Sequence, residues 1–339
     1  MTAMDPDPVE ERGLGVRPWR VLAIIAGALL IAVLLNAPEL EREAKAKPFG
    51  TERDVWVGIW KPFAAVSRAL YLDRPRAWAD DALDHDEGDG IFELASATPS
   101  AKLTPADATP TPTVPAQLVR TPALGDPLRV WIGGDSMMKV LGESFVREAG
   151  ETGWVDPVHE PQLESGLTRP DFFDWPKELN RLAQAQPAYD VFVVMFGAND
   201  AQGIVEPGGK IHQDAGSAGW IAEYRRRVAG VMDLLRADGR LVIWVGQPIM
   251  RSEGLSADMA MLNQIYQEEA AKRPWVRFVD LWPLFATSGG AYDAYIADDD
   301  GEVKLMRNPD GVHFVRDGGD KAARAILEVI RDEAKVPAP

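Results

Sequence analysis

A serine hydroxyl becomes a nucleophile only when a base takes its proton, and histidine suits that role near neutral pH. Ser136 stands in "RVWIGGDSMMKVLGES", residues 129–144, between an apolar strand-like run and an amphipathic helix-like run. Asp310 and His313 lie three residues apart in "NPDGVHFV", so a single turn could hold the carboxylate against the imidazole and fix its tautomer. A tetrahedral intermediate also needs donors aimed at its oxyanion, which backbone N–H groups and an Asn amide supply. Asn199 in "GAND" is such an amide, and Gly166 in "SGL" lets a backbone N–H come close to a substrate.

Each residue also has a plainer reading. A serine between strand and helix is commonly an N-cap. Asn199 alone suits a turn or cap, and Asp310-Gly311 alone is a turn signal. A lone His313 could be a surface or packed imidazole. His85, His159 and His212 fall in loop-like sequence and carry no catalytic expectation. Order and context favour the chemical reading, because these residues follow apolar strand-like runs one after another.

Those runs are 129–132, 191–196, 241–245 and 276–281, and helix-like stretches occupy roughly 137–149, 176–185, 217–237, 256–272 and 317–333. Strands separated by helix-length connections imply βαβ units and a parallel sheet covered on both faces. Ligands gather at the carboxyl ends of such strands. There stand "GGDS" with Asp135 and Ser136, "GAND" with Asn199 and Asp200, and "GQP" with Gln247.

In this order, the four blocks resemble the SGNH hydrolases, the wider group of GDSL-type esterases and lipases, over about 127–335. The resemblance implies a flavodoxin-like three-layer α/β/α fold with a parallel sheet of about five strands. It implies Ser136 as nucleophile, Asp310 and His313 as its partners, and the N–H groups of Ser136 and Gly166 with the Asn199 amide as oxyanion donors. Met137 and Met138 follow the serine where that group often has Leu or Thr, and Gly153 competes with Gly166 for the glycine block. The run "GLTRPDFFDWP" looks like that of a membrane-tethered bacterial branch. Arg169, Asp171 and Trp175 within it could line a substrate cleft with Asp135, Asp200 and Gln247. An Arg-Asp pair and a packed Trp holding a loop is the alternative.

The rest of the chain supplies location. Residues 21–38, "VLAIIAGALLIAVLLNAP", carry no charge, and about 20 such residues span a bilayer. The one nearby small-x-small site, "AKA" at 44–46, is crowded by charge, which favours an uncleaved anchor over a removed signal. The expected organisation is a cytoplasmic N-terminus (1–20), a transmembrane anchor (21–38), a membrane-proximal helical segment (39–94), a Pro/Thr/Ala-rich linker (95–126) and a hydrolase-like domain (127–339). That domain is expected to face the periplasm or cell exterior from the inner membrane.

Composition excludes several classes. A net charge of −16 argues against nucleic acid, whose phosphates need a basic face. The absence of cysteine removes disulfides, thiolate metal sites and cysteine nucleophiles. Neither phosphate-binding glycine motif is present. Aligning Gly301 of "ADDDGE" with an EF-hand glycine puts Ile296 and Arg307 at ligand positions, so a solvated hairpin is expected there instead. No metal or organic cofactor is called for. The expected activity is ester hydrolysis through an acyl-serine, on O-acyl groups of an envelope glycan or a similar ester. O-acyl transfer to an envelope polysaccharide, with an acyl-transfer partner protein of unknown identity, is one alternative. A non-catalytic glycan-binding or scaffold protein is the other.

Overall fold

The computed structural model describes residues 18–46, 51–70, 72, 117–170, 172–205 and 212–337. They fall into two units. In the first, helix α1 (Pro18–Ala46) carries the apolar segment and α2 (Thr51–Ala69) follows it. Trp19–Pro38 is long and apolar enough to cross a bilayer, and only 11% of its most apolar window is buried. A removed signal sequence would share those properties. Within this unit Arg68 of α2 pairs with the buried Glu41 of α1. The helical piece expected at 50–70 corresponds to α2, whereas 73–94 and the linker up to 116 lie outside the described residues.

The second unit contains a five-stranded parallel sheet. In chain order its elements are β1 (Leu128–Gly134), α3 (Met138–Thr152), β2 (Val155–Pro161), α4 (Trp175–Ala183) and β3 (Val191–Met195). After two short strands, β4 (Ile204–Val205) and β5 (His212–Gln213), come α5 (Ala218–Leu234), β6 (Leu241–Val245), α6 (Glu253–Ala270) and β7 (Val276–Val279). A short α7 (Trp282–Phe285), a hairpin of β8 (Tyr295–Ala297) and β9 (Val303–Leu305), and the last helix α8 (Arg316–Glu333) complete it. Across the sheet the order is β2-β1-β3-β6-β7. This is the doubly wound pattern with its switch point between β1 and β3, where a crevice opens at the carboxyl ends.

Local chemistry explains the elements. All five residues of β3 ("VFVVM") and of β6 ("LVIWV") are buried, as a sheet covered on both faces requires. Met138, Leu141, Phe145 and Ala149 give α3 one buried stripe, and Ala322, Ala323, Ile326 and Ile330 do the same for α8. These two helices pack on one another, and α4, α5 and α6 pack in succession. Side chains of Asp174, Ser217 and Ser252 cap α4, α5 and α6 by accepting from Lys177, Trp220 and Leu255 N–H groups. The hairpin expected at the acidic run is β8–β9, with Tyr295 opposite Leu305.

One strand departs from the sequence expectation. Residues 155–161, "VDPVHEP", pair with β1 along their whole length as β2. Two prolines and three polar residues hide the strand pattern. They are tolerated because β2 is an edge strand that needs hydrogen bonds on one side only. His159 is therefore a strand residue, packed against Gly142 of α3 with its Nε2 3.0 Å from Met138 O. Burial lowers its pKa, and its role is structural.

At the end of β1, Gly134 has φ 150° and its Cα faces the Met195 backbone so closely that any Cβ would overlap the carbonyl. Gly134→Ala is expected to destabilise this unit by about 3 kcal/mol or more, combining strain with a backbone clash. Urea denaturation checks this, with a large fall in midpoint as the expected result.

Candidate active site

The turn after β1 carries Ser136 into the mouth of the crevice. Its Oγ lies 2.9 Å from His313 Nε2, and His313 Nδ1 lies 2.8 Å from Asp310 Oδ2. Asp310 Oδ1 accepts from the Val312 and His313 N–H groups at 2.7 and 3.0 Å, so the turn closes on its own carboxylate. Burial pushes this carboxyl up, but the His313 side chain and those two N–H groups outweigh it and hold Asp310 well below the ordinary carboxylate range. The Ser136 hydroxyl is not an N-cap. Helix α3 has no side-chain cap from its N-cap residue, and Asp135 Oδ1 accepts the Met137 N–H instead.

Asn199 follows β3 on the other side of the switch point. Its Nδ2 donates to Ser165 O at 3.1 Å, which occupies one of its two amide hydrogens. The 165–168 loop that carries Gly166 is held at several points. Trp175 Nε1 donates to Ser165 Oγ at 2.9 Å, and Arg227 Nη1 donates to Leu167 O at 2.9 Å. Asp200 Oδ1 accepts from both the N–H and the hydroxyl of Thr168 at 2.9 Å. Gly166 faces that same Oδ1, and a Cβ there would overlap it. Gly153, the competing glycine, ends α3 with φ 71° and is explained by that turn. Among the described residues the N–H groups of Ser136 and Gly166 meet no acceptor. Such free, fixed donors are what an oxyanion needs.

A cleft of about 340 Å³ opens over these groups, lined by Ser136, Asn199, Asp310 and His313 together with Lys139, Val140, Leu163, Glu164, Ala198, Asn308, Val312 and Phe314. The sequence reading did not single out the last eight. Each lies within four residues of a block residue, and that proximity was the available signal. The expected cleft residues are placed otherwise. Asp135, Asp200 and Gln247 are fully buried beneath the cleft, and Trp175 is 1% exposed within an aromatic cluster with Trp131, Phe173 and Phe196. These four do not line it, because Asp135 and Gln247 fasten strand ends to one another while Asp200 and Trp175 hold the 165–168 loop. Arg169 is half-buried, with its guanidinium 6.0 Å from the Phe172 ring, and is not part of the cleft wall. Asp171 lies outside the described residues.

Beneath the serine, Asp135 Oδ2 accepts from the Gly197 and Ala198 N–H groups at 2.9 and 3.1 Å, tying the β1 turn to the β3 turn. Asp200 Oδ2 accepts from Tyr224 Oη at 2.7 Å, and Tyr224 contacts Tyr266, whose hydroxyl donates to Phe196 O at 3.0 Å. Burial raises the pKa of both carboxyls. For Asp135 it does so to about 7, with the Met137 and Ala198 N–H groups opposing and the field of Asp200 adding. An acid whose folded pKa is raised binds more protons folded than unfolded, so its contribution to stability falls as pH rises from about 4 to about 7. Asp135→Asn, which does not ionise, is expected to flatten the pH dependence of Tm between about pH 4 and pH 7. Thermal denaturation across that range measures it.

Among the described residues, no group of three or more His, Cys, Asp or Glu is arranged to hold a metal ion. Residues 129–329 match the family model described as "Protein of unknown function (DUF459)". The chain belongs to this family. The sheet order and its covering helices agree with the fold that the four sequence blocks imply. No curated protein matches the chain. Solved structures similar to this DUF459 chain include the catalytic domain of peptidoglycan O-acetyltransferase A from Streptococcus pneumoniae, at 14% identity over 62% of this chain and 97% of that one, with a TM-score of 0.40. An acetyl xylan esterase from Geobacillus stearothermophilus matches at 13% identity over 63% and 96%, with a TM-score of 0.41. A GDSL-like lipase from Bacteroides thetaiotaomicron matches at 16% identity over 60% and 88%, with a TM-score of 0.37. What those enzymes act on is a property of those enzymes.

Proposed function

We propose that this DUF459 protein is a serine-dependent acyl-ester hydrolase or O-acyltransferase, held at the inner membrane by α1 with its SGNH-like domain outside the cytoplasm. The observation that carries the reading is the unbroken hydrogen-bonded line from Ser136 Oγ through His313 to Asp310. It opens into a cleft that Asn199 also lines. Ser136 attacks the ester carbonyl while His313 Nε2 takes its proton. Asp310 keeps the other ring proton on Nδ1 and stabilises the imidazolium that forms. The N–H groups of Ser136 and Gly166 and the remaining Asn199 amide hydrogen receive the oxyanion. Collapse expels the alcohol, which takes the proton from His313. Water or a sugar hydroxyl then enters along the same path to resolve the acyl-serine.

The anchor favours envelope substrates, with O-acyl groups on a glycan as the class proposed. The test uses full-length protein in detergent with p-nitrophenyl acetate, with and without a soluble polysaccharide acceptor. Release of p-nitrophenol is the expected result. Acetate alone marks a hydrolase, and acetyl ester appearing on the acceptor marks a transferase. Folded protein that releases no p-nitrophenol and labels with no serine-directed reagent would overturn the reading in favour of glycan binding.

A further inference from the structure

Arg307 sits behind the Asp310–His313 turn with none of its surface exposed. A buried guanidinium ordinarily has a carboxylate partner, because an unpaired charge in the interior is expensive. Among the described residues Arg307 has no such ion pair. Its Nη1 donates to Ile249 O and its Nη2 to Val312 O, both at 2.6 Å, and Met250 Sδ lies 3.2 Å from Nη2. Three rings surround it, with Phe314, Tyr292 and Phe285 centroids 5.3, 5.5 and 5.9 Å from the guanidinium carbon. Burial pulls its pKa down to about 10, with Tyr292 and Asp310 opposing, so it remains charged at neutral pH.

The two carbonyls it bridges matter. Val312 belongs to the turn that carries both Asp310 and His313. Ile249 belongs to the segment after β6. Arg251 of that segment fastens the same turn from outside. Its backbone N–H donates to Gly311 O at 3.0 Å, and its Nη1 donates to Pro309 O at 2.7 Å. Four hydrogen bonds thus stitch 249–251 to the turn, and two of them pass through Arg307. At its base the turn is also closed by the Asn308 N–H donating to His313 O at 2.8 Å and the Val315 N–H to Met306 O at 3.1 Å, with Arg307 bridged to Phe314 ahead of α8 at Arg316.

We propose that Arg307 is a positioning residue, a buried cation that locks the Asp310–His313 turn to the β6 end so that Nε2 reaches Ser136. The inference rests on the acyl-serine reading for its kinetic arm only. Guanidinium geometry is essential to it, since an ammonium makes a point contact where the planar fork spans two carbonyls.

The experiment compares full-length wild type, Arg307→Met and Arg307→Lys in detergent on p-nitrophenyl acetate, and records the downfield proton NMR signal of the Asp310–His313 hydrogen bond. Misplacing a catalytic group by about 1 Å can cost on the order of 100-fold in rate. Arg307→Met is therefore expected to lower kcat by about 100-fold with KM within about twofold, and to lose the downfield signal. Arg307→Lys is expected to recover part of both. A folded Arg307→Met protein with kcat within about twofold of wild type, or with the signal unchanged, overturns the proposal. Where Arg307→Met does not fold, Arg251→Ala reads the turn from its exposed side. A fall in kcat of about tenfold at unchanged Tm supports the proposal, and unchanged kcat overturns it. A wild type with no esterase activity defeats the functional reading alone, and the NMR arm then decides this one.

Discussion

Ser136→Ala is expected to lower kcat on p-nitrophenyl acetate by at least about 1,000-fold while leaving the protein folded. Removing the nucleophile of a serine triad abolishes the covalent route and leaves only what binding and the oxyanion donors provide. The fold survives because the Ser136 hydroxyl supports no secondary structure. Among the described residues it bonds to His313 alone, and the start of α3 is secured through Asp135. Steady-state kinetics beside a circular dichroism melt separates the two effects. Activity within about tenfold of wild type would mean that another group attacks the ester.

Asp310→Asn is expected to lower kcat by about 1,000-fold or more, with a similar KM, for a different reason. The Asn carbonyl can keep the Val312 and His313 N–H groups that Oδ1 now accepts. Its amide would then face His313 Nδ1, donor against donor. The imidazole relieves this by moving its proton to Nε2, and that tautomer does not accept from Ser136. The substitution also alters the response to acid. Asp310 is held below its ordinary pKa, so in the wild type it adds stability above the unfolded value. That contribution is lost only as pH falls through the lower folded value. The Asn variant lacks it, and its Tm is expected to lie below wild type at pH 6 and to converge with it in strong acid. Tm measured from pH 2 to pH 6 together with kcat checks both halves.

The fold was legible where burial is complete. Strands β3 and β6 are unbroken apolar runs, and the five long helices from α3 to α8 show stripes with serine or aspartate at three of their starts. Strand β2 was not legible, since an edge strand with Pro157 and Pro161 lacks both the alternation and the apolar run that mark its neighbours. The convergence of Ser136 and Asn199 at one cleft follows from the strand-end rule, which needs only the order of elements, whereas Asp310 and His313 reach it from the turn between the β8–β9 hairpin and α8. The cleft wall does not follow from it. Asp135, Asp200 and Gln247 occupy strand ends too, and Trp175 opens α4, yet all four turn inward. Nothing in one sequence separates a polar strand-end residue that faces solvent from one that receives buried N–H groups. Asp200 illustrates this, because the Tyr224 and Thr168 that satisfy it lie 24 and 32 residues away in sequence. Arg307 was read only as a residue unsuited to a calcium loop, and its buried bridge depends on the β6 and turn segments meeting in space.

The central claim is that Ser136 is an activated nucleophile. Full-length protein treated in detergent with a fluorophosphonate, digested and analysed by mass spectrometry, tests it most directly. The account predicts one phosphonyl adduct per chain, on the peptide holding Ser136, lost on prior unfolding and absent from His313→Ala. No adduct on the folded protein, or an adduct on a different serine, would contradict it.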